Sequence, residues 1–369
     1  MKILFINRPQ FLVDSNATIM KNYLFFLIGM LALVSCTNES DEPRPNPTGG
    51  EDLYLATHGF MGHPEMIYNL DGDTIYQCAE DGHILELLSE GSDWYASIAN
   101  QDGTYSVVKD GTTVCTTQET IWCMAVENGI VYTVQENTAD NTVWVHKDFE
   151  RLYELDRNVN FNTICVSNGI VSFTVSASKP YTWINGRTVE FGGLNSAPEE
   201  GFGHTFGCDR SGYDVLITYE SYQVGGKYMY WWNGKNYDLP QTFIPSASRL
   251  VNGHAFILGA ERTTLSPGGA HYVPAVFIDG MKTVLNDEYD FKATQVVGDG
   301  MDTYILVNDV GGNFRRSRIY KNLQRMILPE NITIPEDMIE YYDMVFYDSK
   351  TISLDNLGIT AIAVVKNGR

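Results

Sequence analysis

Basic side chains are scarce in this chain, and the common catalytic motifs are missing. The 369 residues include 25 lysines and arginines against 46 aspartates and glutamates, so the formal net charge is −21. Such a surface repels phosphate backbones and anionic lipid headgroups, which argues against nucleic acid as a partner. The sequence also contains no glycine-rich phosphate loop, nucleophile elbow or HExxH motif. These absences favour a binding protein over an enzyme.

Cysteine is sparse, and its spacing matches no metal site. Five cysteines follow Cys36, namely Cys78, Cys115, Cys123, Cys165 and Cys208. An odd number cannot form a complete disulfide framework, and none of the five shows a CxxC or Cys/His spacing. Cys115 and Cys123 flank a short segment and could face each other across a hairpin, so one bridge stays open. For the others the sequence predicts small buried apolar side chains.

Long hydrophobic runs are limited to one, from Tyr23 to Cys36, which is too short for a convincing membrane span. It has the character of a secretory signal sequence. Its end, Leu33-Val34-Ser35-Cys36, resembles the lipobox of bacterial lipoproteins, which implies cleavage before Cys36 and lipidation of its thiol. Residues 1–36 are therefore predicted to be a lipoprotein signal peptide, with Met20 as an alternative translation start. The competing interpretation is an ordinary signal peptide with a chance cysteine.

The segment after Cys36 is polar, acidic and rich in proline and glycine, so residues 37–52 are predicted to be a flexible linker. Its cluster of Glu39, Asp41 and Glu42 resembles the export signals of Bacteroidota lipoproteins. The resemblance implies an outer-membrane lipoprotein at the cell surface or on the periplasmic face. The lipid anchor would be the protein's only contact with the membrane.

One pattern recurs through the rest of the chain: an apolar run that ends in Asn or Asp, in most copies followed by Gly. Its Asn or Asp falls at Asp71, Asp110, Asp148, Asn185, Asn233, Asp279, Asn322 and Asn367, at intervals of 37 to 48 residues. Asn or Asp before Gly favours a two-residue β-hairpin turn, because both tolerate positive φ. The period fits a four-stranded propeller blade. Residues 53–369 are therefore predicted to be an all-β propeller.

The strand assignment places each blade's innermost strand directly before the hairpin, as in "WYASIA" and "IVYTV". The hairpin arms become the second and third strands, and "TIWCMAV" and "NTICVS" become outer strands. Eight turn copies but only seven complete hairpins leave seven and eight blades open. Either an eighth blade has two strands, or the C-terminal segment completes a blade with N-terminal strands, which hides an open edge.

The hairpins "YTWINGR" and "MYWWNGK" resemble those of Bacteroidota β-propeller lipoproteins whose blades carry a W-x-N-G motif. The resemblance implies an exported propeller and leaves the activity open, because propellers host enzymes and binding modules alike. A glycan, a peptide or a partner protein is the expected ligand. The alternative is a carbohydrate-active lyase or glycosidase.

Acidic residues occur in the segments predicted to join the blades, at the mouth of the central channel. Asp93, Asp299 and Asp302 are the candidates for general acid/base catalysis or for binding Ca²⁺, the one cofactor that such carboxylates would suit. Solvated turns are the simpler interpretation of these residues. No other cofactor is indicated, and no metal site is predicted.

Two further kinds of candidate binding residue complete the predicted site. Arg210 and His254 lie in the same predicted loops, where they could hold an anion and act as a base. Trp232, Tyr222 and Tyr272 fall outside the repeated pattern, so they are predicted to form an aromatic platform for a ligand.

Overall fold

The computed structural model describes most of the chain from residue 51 to residue 366. The described ranges are 51–57, 65–79, 82–155, 160–176, 182–184, 187–189, 202–212, 214–221, 226–233, 235–264, 270–285, 290–310, 316–329, 332–333, 351–352 and 358–366. These residues form thirty β-strands and no helix, within one unit, Asn46–Arg369. The all-β prediction is confirmed. Cys36, the linker before residue 51 and Tyr222 lie outside the described residues.

The strands form four-stranded antiparallel sheets, here called blades, and in blades 2 to 7 the four strands are consecutive. The first strands are β4 (His83–Glu90), β8 (Thr120–Glu127), β12 (Asn160–Ser167), β16 (Phe202–Ser211), β20 (Phe243–Val251) and β24 (Phe291–Gly298). The second strands are β5 (Asp93–Ala99), β9 (Ile130–Asn137), β13 (Ile170–Ser176), β17 (Asp214–Ser221), β21 (His254–Thr264) and β25 (Thr303–Asp309). The third strands are β6 (Tyr105–Lys109), β10 (Thr142–Lys147), β14 (Thr182–Ile184), β18 (Lys227–Trp232), β22 (Ala270–Ile278) and β26 (Ser317–Lys321). The fourth strands are β7 (Thr112–Thr117), β11 (Glu150–Leu155), β15 (Arg187–Val189), β19 (Lys235–Asp238), β23 (Met281–Val284) and β27 (Gln324–Arg325).

Blade 1 joins the two ends of the described chain. It contains β1 (Glu51–Thr57), β2 (Met66–Tyr68), β3 (Thr74–Gln77) and the C-terminal strand β30 (Ile359–Lys366), in the order β3-β2-β1-β30. The closure predicted as one of two alternatives is therefore present. The described residues contain seven four-stranded sheets, and the small pair of β28 (Ile332–Thr333) and β29 (Thr351–Ile352) stands apart from them.

The first strand of each blade is the innermost one. Each of β4, β8, β12, β16, β20 and β24 contacts the first strand of the next blade, and β30 completes this circle between β24 and β4. The sequence-based strand assignment was therefore wrong by one position. "TIWCMAV" (in β8) and "NTICVS" (in β12) are innermost, and the Asn/Asp-Gly hairpins join the third and fourth strands.

Seven buried apolar clusters fill the gaps between consecutive blades. For example, Val134 and Val145 of blade 3 pack with Phe173 of blade 4, and Leu306 of blade 7 packs with Leu55 of blade 1. Each of these five side chains is buried completely. Burial of a large aliphatic or aromatic side chain contributes roughly 1.5–3 kcal/mol, so the blade interfaces hold most of the stabilising contacts.

A β-bulge interrupts every innermost strand at a similar position, where one or two residues have no partner in the ladder. In blades 2 and 3 the extra residues are Leu85 and Trp122, each five residues before the glutamate that ends its strand. A bulge bends the strand and turns one side chain in a new direction. The fold therefore presents a ring of specially oriented side chains along the innermost strands.

Candidate functional site

The Asn or Asp of the repeated hairpin has a structural role beyond its turn. The residue has φ between 47° and 49° at Asp110, Asp148, Asn233, Asp279 and Asn322. In each of these copies its side-chain oxygen accepts a backbone N–H from the second strand, at 2.9 to 3.2 Å. These five side chains are thus committed to their own blades.

Glutamates at the ends of two innermost strands link consecutive blades. The Glu90 carboxylate accepts the backbone N–H groups of Asn128 and Gly129, at 2.5 and 2.6 Å. Glu127 does the same for Asn168 and Gly169, at 2.5 and 2.7 Å. Successive N–H groups in a tight turn form a concave site for an anion, and here the neighbouring blade supplies that anion. Acidic residues on this side of the propeller therefore hold blades together.

Asp93 lies at the start of β5 and pairs with Lys109 of the same blade. The Lys109 Nζ to Asp93 Oδ2 distance is 2.7 Å, and this hydrogen bond lowers the pKa of the Asp93 carboxyl. Lys109 also lies over the Tyr95 ring, 5.3 Å from its centroid. Asp93 is thus an ionised carboxylate in a local ion pair.

Asp299 and Asp302 belong to the turn between β24 and β25. Asp299 Oδ1 accepts the backbone N–H groups of Met301 and Asp302, at 2.7 and 2.6 Å. The Asp302 carboxylate binds Lys321 Nζ at 2.5 Å and Asn322 Nδ2 at 2.7 Å. Both carboxylates therefore make hydrogen bonds inside blade 7, as turn residues do.

His254 and Arg210 also contact neighbours within their own blades. His254, at the start of β21, has its Nδ1 atom 2.6 Å from Oδ2 of Asp279, which lies in the turn after the neighbouring strand β22. Arg210 Nε donates to the carbonyl of Gly212 at 2.9 Å, within the turn that follows β16. The structure places the two residues in adjacent blades, on the side where the first and second strands connect.

The predicted aromatic platform is only partly described. Trp232 is half-buried and packs against the apolar cluster between blades 5 and 6. Tyr272 is half-buried in β22, opposite Arg262, and its carbonyl accepts the N–H of Asp290. Neither ring is among the strongly exposed large side chains.

The cysteines carry no disulfide among the described residues. Cys115 lies on the outermost strand of blade 2, and Cys123 lies on the innermost strand of blade 3. The two cysteines therefore do not face each other across one hairpin, and the structure records both as free thiols. Cys165 and Cys208 instead come close together, with their Sγ atoms 3.9 Å apart.

Three charged side chains interact across the centre of the ring. Glu86 of blade 2 and Asp209 of blade 5 both interact electrostatically with Arg249 of blade 6. The Arg249 Nη1 to Asp209 Oδ1 distance is 3.9 Å, and Asp209 Oδ2 accepts the N–H of Leu250 at 2.7 Å. Because blades 2 and 6 are not neighbours, Glu86 and Arg249 can interact only through the central channel.

Burial dominates the electrostatics of this channel group. It raises the pKa of Glu86 to about 7, against the opposing effects of the Arg249 charge and the Met124 backbone N–H. Burial also raises the pKa of Asp209, again opposed by Arg249. One buried oxygen of Glu86, Oε2, has no hydrogen-bond partner among the described residues. The group is therefore an imperfectly compensated set of half-buried charges.

Among the innermost-strand side chains that the structure describes, the most exposed large apolar ones are Leu85 and Trp122. Their exposed fractions are 43% and 52%, and they occupy the same bulge position in neighbouring strands. The Trp122 indole N–H donates to Glu136 Oε2 at 3.1 Å. We call this pair of side chains the apolar ledge.

Other blades have different residues at the bulge position, and these residues make different contacts. Ser246 donates its hydroxyl to the carbonyl of Ala293, and Thr360 donates to Ala56 at 3.3 Å. Phe206 packs edge-on against Tyr228, with 5.6 Å between ring centroids. Bulge residues in blades 1, 5 and 6 are thus half-buried, whereas Leu85 and Trp122 in blades 2 and 3 are exposed to solvent.

The apolar ledge is not predictable from the sequence, for a specific reason. The sequence pattern favours an outer strand for the segment around Trp122, and it does not distinguish Trp122 as a platform residue. The hairpin pattern "WCMAVENGIVYTV" shows two antiparallel strands, but it contains no mark of which strand is innermost or where a bulge falls. Comparison of the seven bulge positions provides that information.

No group of three or more His, Cys, Asp or Glu side chains in the described residues is placed to hold a metal ion. None of the described segments is a helix that is long and apolar enough to cross a membrane.

No protein-family model matches the chain, and no curated protein matches it. Among solved structures, the β-propeller domain of the Trilobed protease from Pyrococcus furiosus is 10% identical and covers 74% of this chain and 92% of that chain, with a TM-score of 0.49. A quinonprotein alcohol dehydrogenase-like protein from Bacteroides thetaiotaomicron is 10% identical, covers 75% of each chain and has a TM-score of 0.43. A chain of a mitotic checkpoint complex is 8% identical, covers 74% of this chain and 95% of that chain and has a TM-score of 0.45. The propeller assignment rests on the sheets and their closure.

Proposed function

We propose that this protein is a binding module that takes a neutral glycan on the apolar ledge and performs no chemistry on it. The observation that carries the proposal is the contrast among the bulge positions. The ring exposes Leu85 and Trp122 at the bulge position, where blades 1, 5 and 6 have half-buried side chains. Exposed apolar groups on a rigid scaffold are typical of recognition surfaces.

The chemistry of the apolar ledge suits a sugar. An indole ring offers a flat apolar face for the C–H groups of a pyranose ring. The hydrogen bond to Glu136 fixes one edge of the Trp122 ring, and the carboxylate can also accept sugar hydroxyl groups. The negative charge of the chain disfavours anionic polysaccharides, so a neutral glycan is the better match.

The proposal predicts that Trp122→Ala weakens glycan binding about tenfold or more, because one buried aromatic contact commonly contributes more than 1 kcal/mol to an interface. The measurement is an array of neutral oligosaccharides, followed by titration calorimetry with the best hit. Leu85→Ala should weaken the same interaction to a smaller extent.

Val114→Ala is a matched control, because Val114 is also 43% exposed but lies on the outermost strand of blade 2. It should bind like the unmodified chain. An array without hits, or equal binding by Trp122→Ala and Val114→Ala, would contradict the proposal. Loss of peptide binding rather than glycan binding in Trp122→Ala would keep the ledge and reject the ligand class.

Lipid anchoring through Cys36 is the second part of the proposed function, with a location on the outer membrane at the cell surface or the periplasmic face. The lipobox-like segment and the acidic linker support it. Metabolic labelling with an alkyne fatty acid should mark the full chain, and Cys36→Ala should remove both the label and the membrane fraction. Labelling that persists in Cys36→Ala would reject the anchor.

The enzyme alternative gains no support from the predicted carboxylates. Asp93 pairs with Lys109, Asp302 pairs with Lys321, and Asp299 accepts two N–H groups of its own turn. Each carboxylate therefore has a partner within its own blade. Asp93 lies in blade 2, whereas Asp299 and Asp302 lie in blade 7.

A further inference from the structure

Cys165 and Cys208 face each other between two blades. Cys165 lies on β12 of blade 4, and Cys208 lies on β16 of blade 5. Their Sγ atoms are 3.9 Å apart, and the exposed fractions are 4% and 0%. They belong to one apolar cluster with Ile217 and Tyr219. A disulfide needs about 2.05 Å between the sulfur atoms, so the two sulfur atoms would have to approach each other by roughly 1.9 Å.

We propose that Cys165 and Cys208 form an inter-blade disulfide when the chain folds in an oxidising compartment. The proposal applies to this pair because the two cysteines lie on the innermost strands of adjacent blades, β12 and β16, and these strands contact each other. Their separation of 43 residues makes the bond a link between blades and not within a hairpin.

The reaction is ordinary thiol–disulfide exchange. One cysteine thiolate attacks one sulfur of the oxidant's disulfide, which breaks that S–S bond, releases the oxidant's second sulfur as a thiolate and gives a mixed disulfide. The second cysteine thiolate attacks the cysteine sulfur of the mixed disulfide and releases the oxidant's first sulfur as a thiolate. The two cysteines lose two protons and two electrons, and the oxidant's disulfide is reduced to two thiols. The oxidant is therefore a disulfide-bearing compound or protein of the compartment in which the chain folds.

Burial dictates when this exchange takes place. In the folded chain both thiols are enclosed, and the hydrogen bond with Cys208 together with burial raises the pKa of Cys165 well above its ordinary value. A protonated, enclosed thiol is a poor nucleophile. The bond therefore forms while blades 4 and 5 assemble, and once formed it is shielded from reductants.

The disulfide would fix the spacing of two innermost strands beside the channel group. Cys165 and Cys208 both interact electrostatically with Arg249, and Asp209 directly follows Cys208. A covalent link here holds the Asp209 side of the channel in place. It also constrains the unfolded chain, which is the usual source of stabilisation by a disulfide.

Peptide mapping of the full chain tests the proposal directly. The chain is exported to the periplasm of a bacterial host, alkylated under denaturing conditions without reductant, digested and analysed by mass spectrometry. A linked peptide pair containing Cys165 and Cys208 is expected, and it should be absent from protein made in a reducing cytoplasm. Refolding in a glutathione redox buffer should restore it.

Thermal melting gives a second result that does not depend on digestion. Denaturation and refolding with reductant should lower the melting temperature of the oxidised chain by roughly 5 °C. Cys165→Ala and Cys208→Ala should lose this sensitivity, whereas Cys115→Ser should retain both the linked peptide and the sensitivity. Complete alkylation of Cys165 and Cys208 in exported and in glutathione-refolded protein would overturn the proposal.

Discussion

Single residues in this propeller often serve two structural purposes. Asp279 adopts a φ of 49° that the hairpin turn needs, and its carboxylate also accepts the N–H of Ala255 and contacts His254. A glycine at this position would satisfy the turn but would leave the N–H without that acceptor. The repeated preference for Asn or Asp is therefore explained by the turn and by the hydrogen bond together.

Glu86 gives the clearest prediction at this scale. Burial raises its pKa to about 7 from an ordinary value of 4.5, so ionisation of Glu86 opposes folding. The folded state is favoured fully below about pH 4.5, and this contribution is lost as the pH rises through about 7. Glu86→Gln should therefore be more stable than the unmodified chain at pH 8, by up to roughly 3 kcal/mol.

The measurement is chemical denaturation of both chains at pH 4.5, 6 and 8. The difference between them should grow with pH. Glu150→Gln removes one negative charge from an exposed position of β11, so it serves as the control and should follow the unmodified chain. A constant difference between Glu86→Gln and the unmodified chain at all three pH values would contradict the burial argument.

Residue types alone do not show whether an acidic side chain belongs to a binding site or stabilises a turn. The sequence predicts that Asp93, Asp299 and Asp302 lie in segments that join blades, whereas they lie where the first and second strands of one blade connect. The partner of each carboxylate is a lysine, an asparagine or a backbone N–H that the sequence alone does not identify. The sequence does not indicate the exposure of Trp122, because a bulge depends on a mismatch between two strands. Such a mismatch has no signature in the sequence of one strand. The predicted site and the observed ledge therefore share no residue.

At the scale of elements, innermost strands are joined by side chains as well as by apolar packing. Gly207 lies where an added Cβ would come within 2.7 Å of the backbone nitrogen of Ser248, so β16 and β20 approach closely there. Glu90 and Glu127 form the complementary polar links at the strand ends. Neighbouring innermost strands are thus held together both by close backbone packing along the strands and by hydrogen bonds at the strand ends.

Glu127→Ala should destabilise the protein by about 1–2 kcal/mol, because the N–H groups of Asn168 and Gly169 lose a charged acceptor. Glu127→Gln should recover only part of this loss, since its amide nitrogen cannot accept a hydrogen bond. Urea denaturation measures both effects, and Glu150→Ala on exposed β11 provides the control. Equal stability of the Glu127→Ala and Glu150→Ala chains would show that the link carries no net stability.

The repeated hairpin motif predicts pairs of β-strands correctly, but it does not predict where each pair lies in the four-stranded blade. Asn or Asp before Gly identifies two neighbouring antiparallel strands with a physical reason, and the copies at Asp110, Asn233 and Asp279 are confirmed. The same hairpin fits any adjacent pair in a four-stranded sheet. Its place between the third and fourth strands follows from contacts between blades, which no single repeat contains.

At the scale of the whole molecule, the ring depends on one strand from the C-terminal end. β30 pairs with β1 over the whole length from Glu51 to Thr57. The side-chain amide of Gln295 in blade 7 also binds the backbone N–H and carbonyl of Ile362, at 2.8 and 2.9 Å. The same strand therefore completes blade 1 and joins it to blade 7.

A chain that ends at Leu357 should fail to fold cooperatively. It lacks four buried aliphatic side chains of β30, namely Ile359, Ile362, Val364 and Val365. Each contributes roughly 1.5–3 kcal/mol when buried, so their sum approaches the whole free energy of unfolding of a typical domain. Calorimetry should show no cooperative transition, and gel filtration should show aggregation through the exposed edge of β1.

Removal of only residues 367–369 is the matched control for this truncation and should leave the melting temperature unchanged. A synthetic peptide that spans residues 358–369 should restore a cooperative transition to the shortened chain. Cooperative melting of the shortened chain without the peptide would show that the ring does not need β30.

The pairing of β1 also determines how the molecule bears mechanical load. A pull on the chain ahead of Glu51 that runs along the axis of β1 would load its hydrogen bonds to β30 and β2 in shear. In this shear geometry the bonds must break together, whereas a pull at right angles would open them one after another. A pull along β1 would therefore be opposed by both of its neighbouring strands at once.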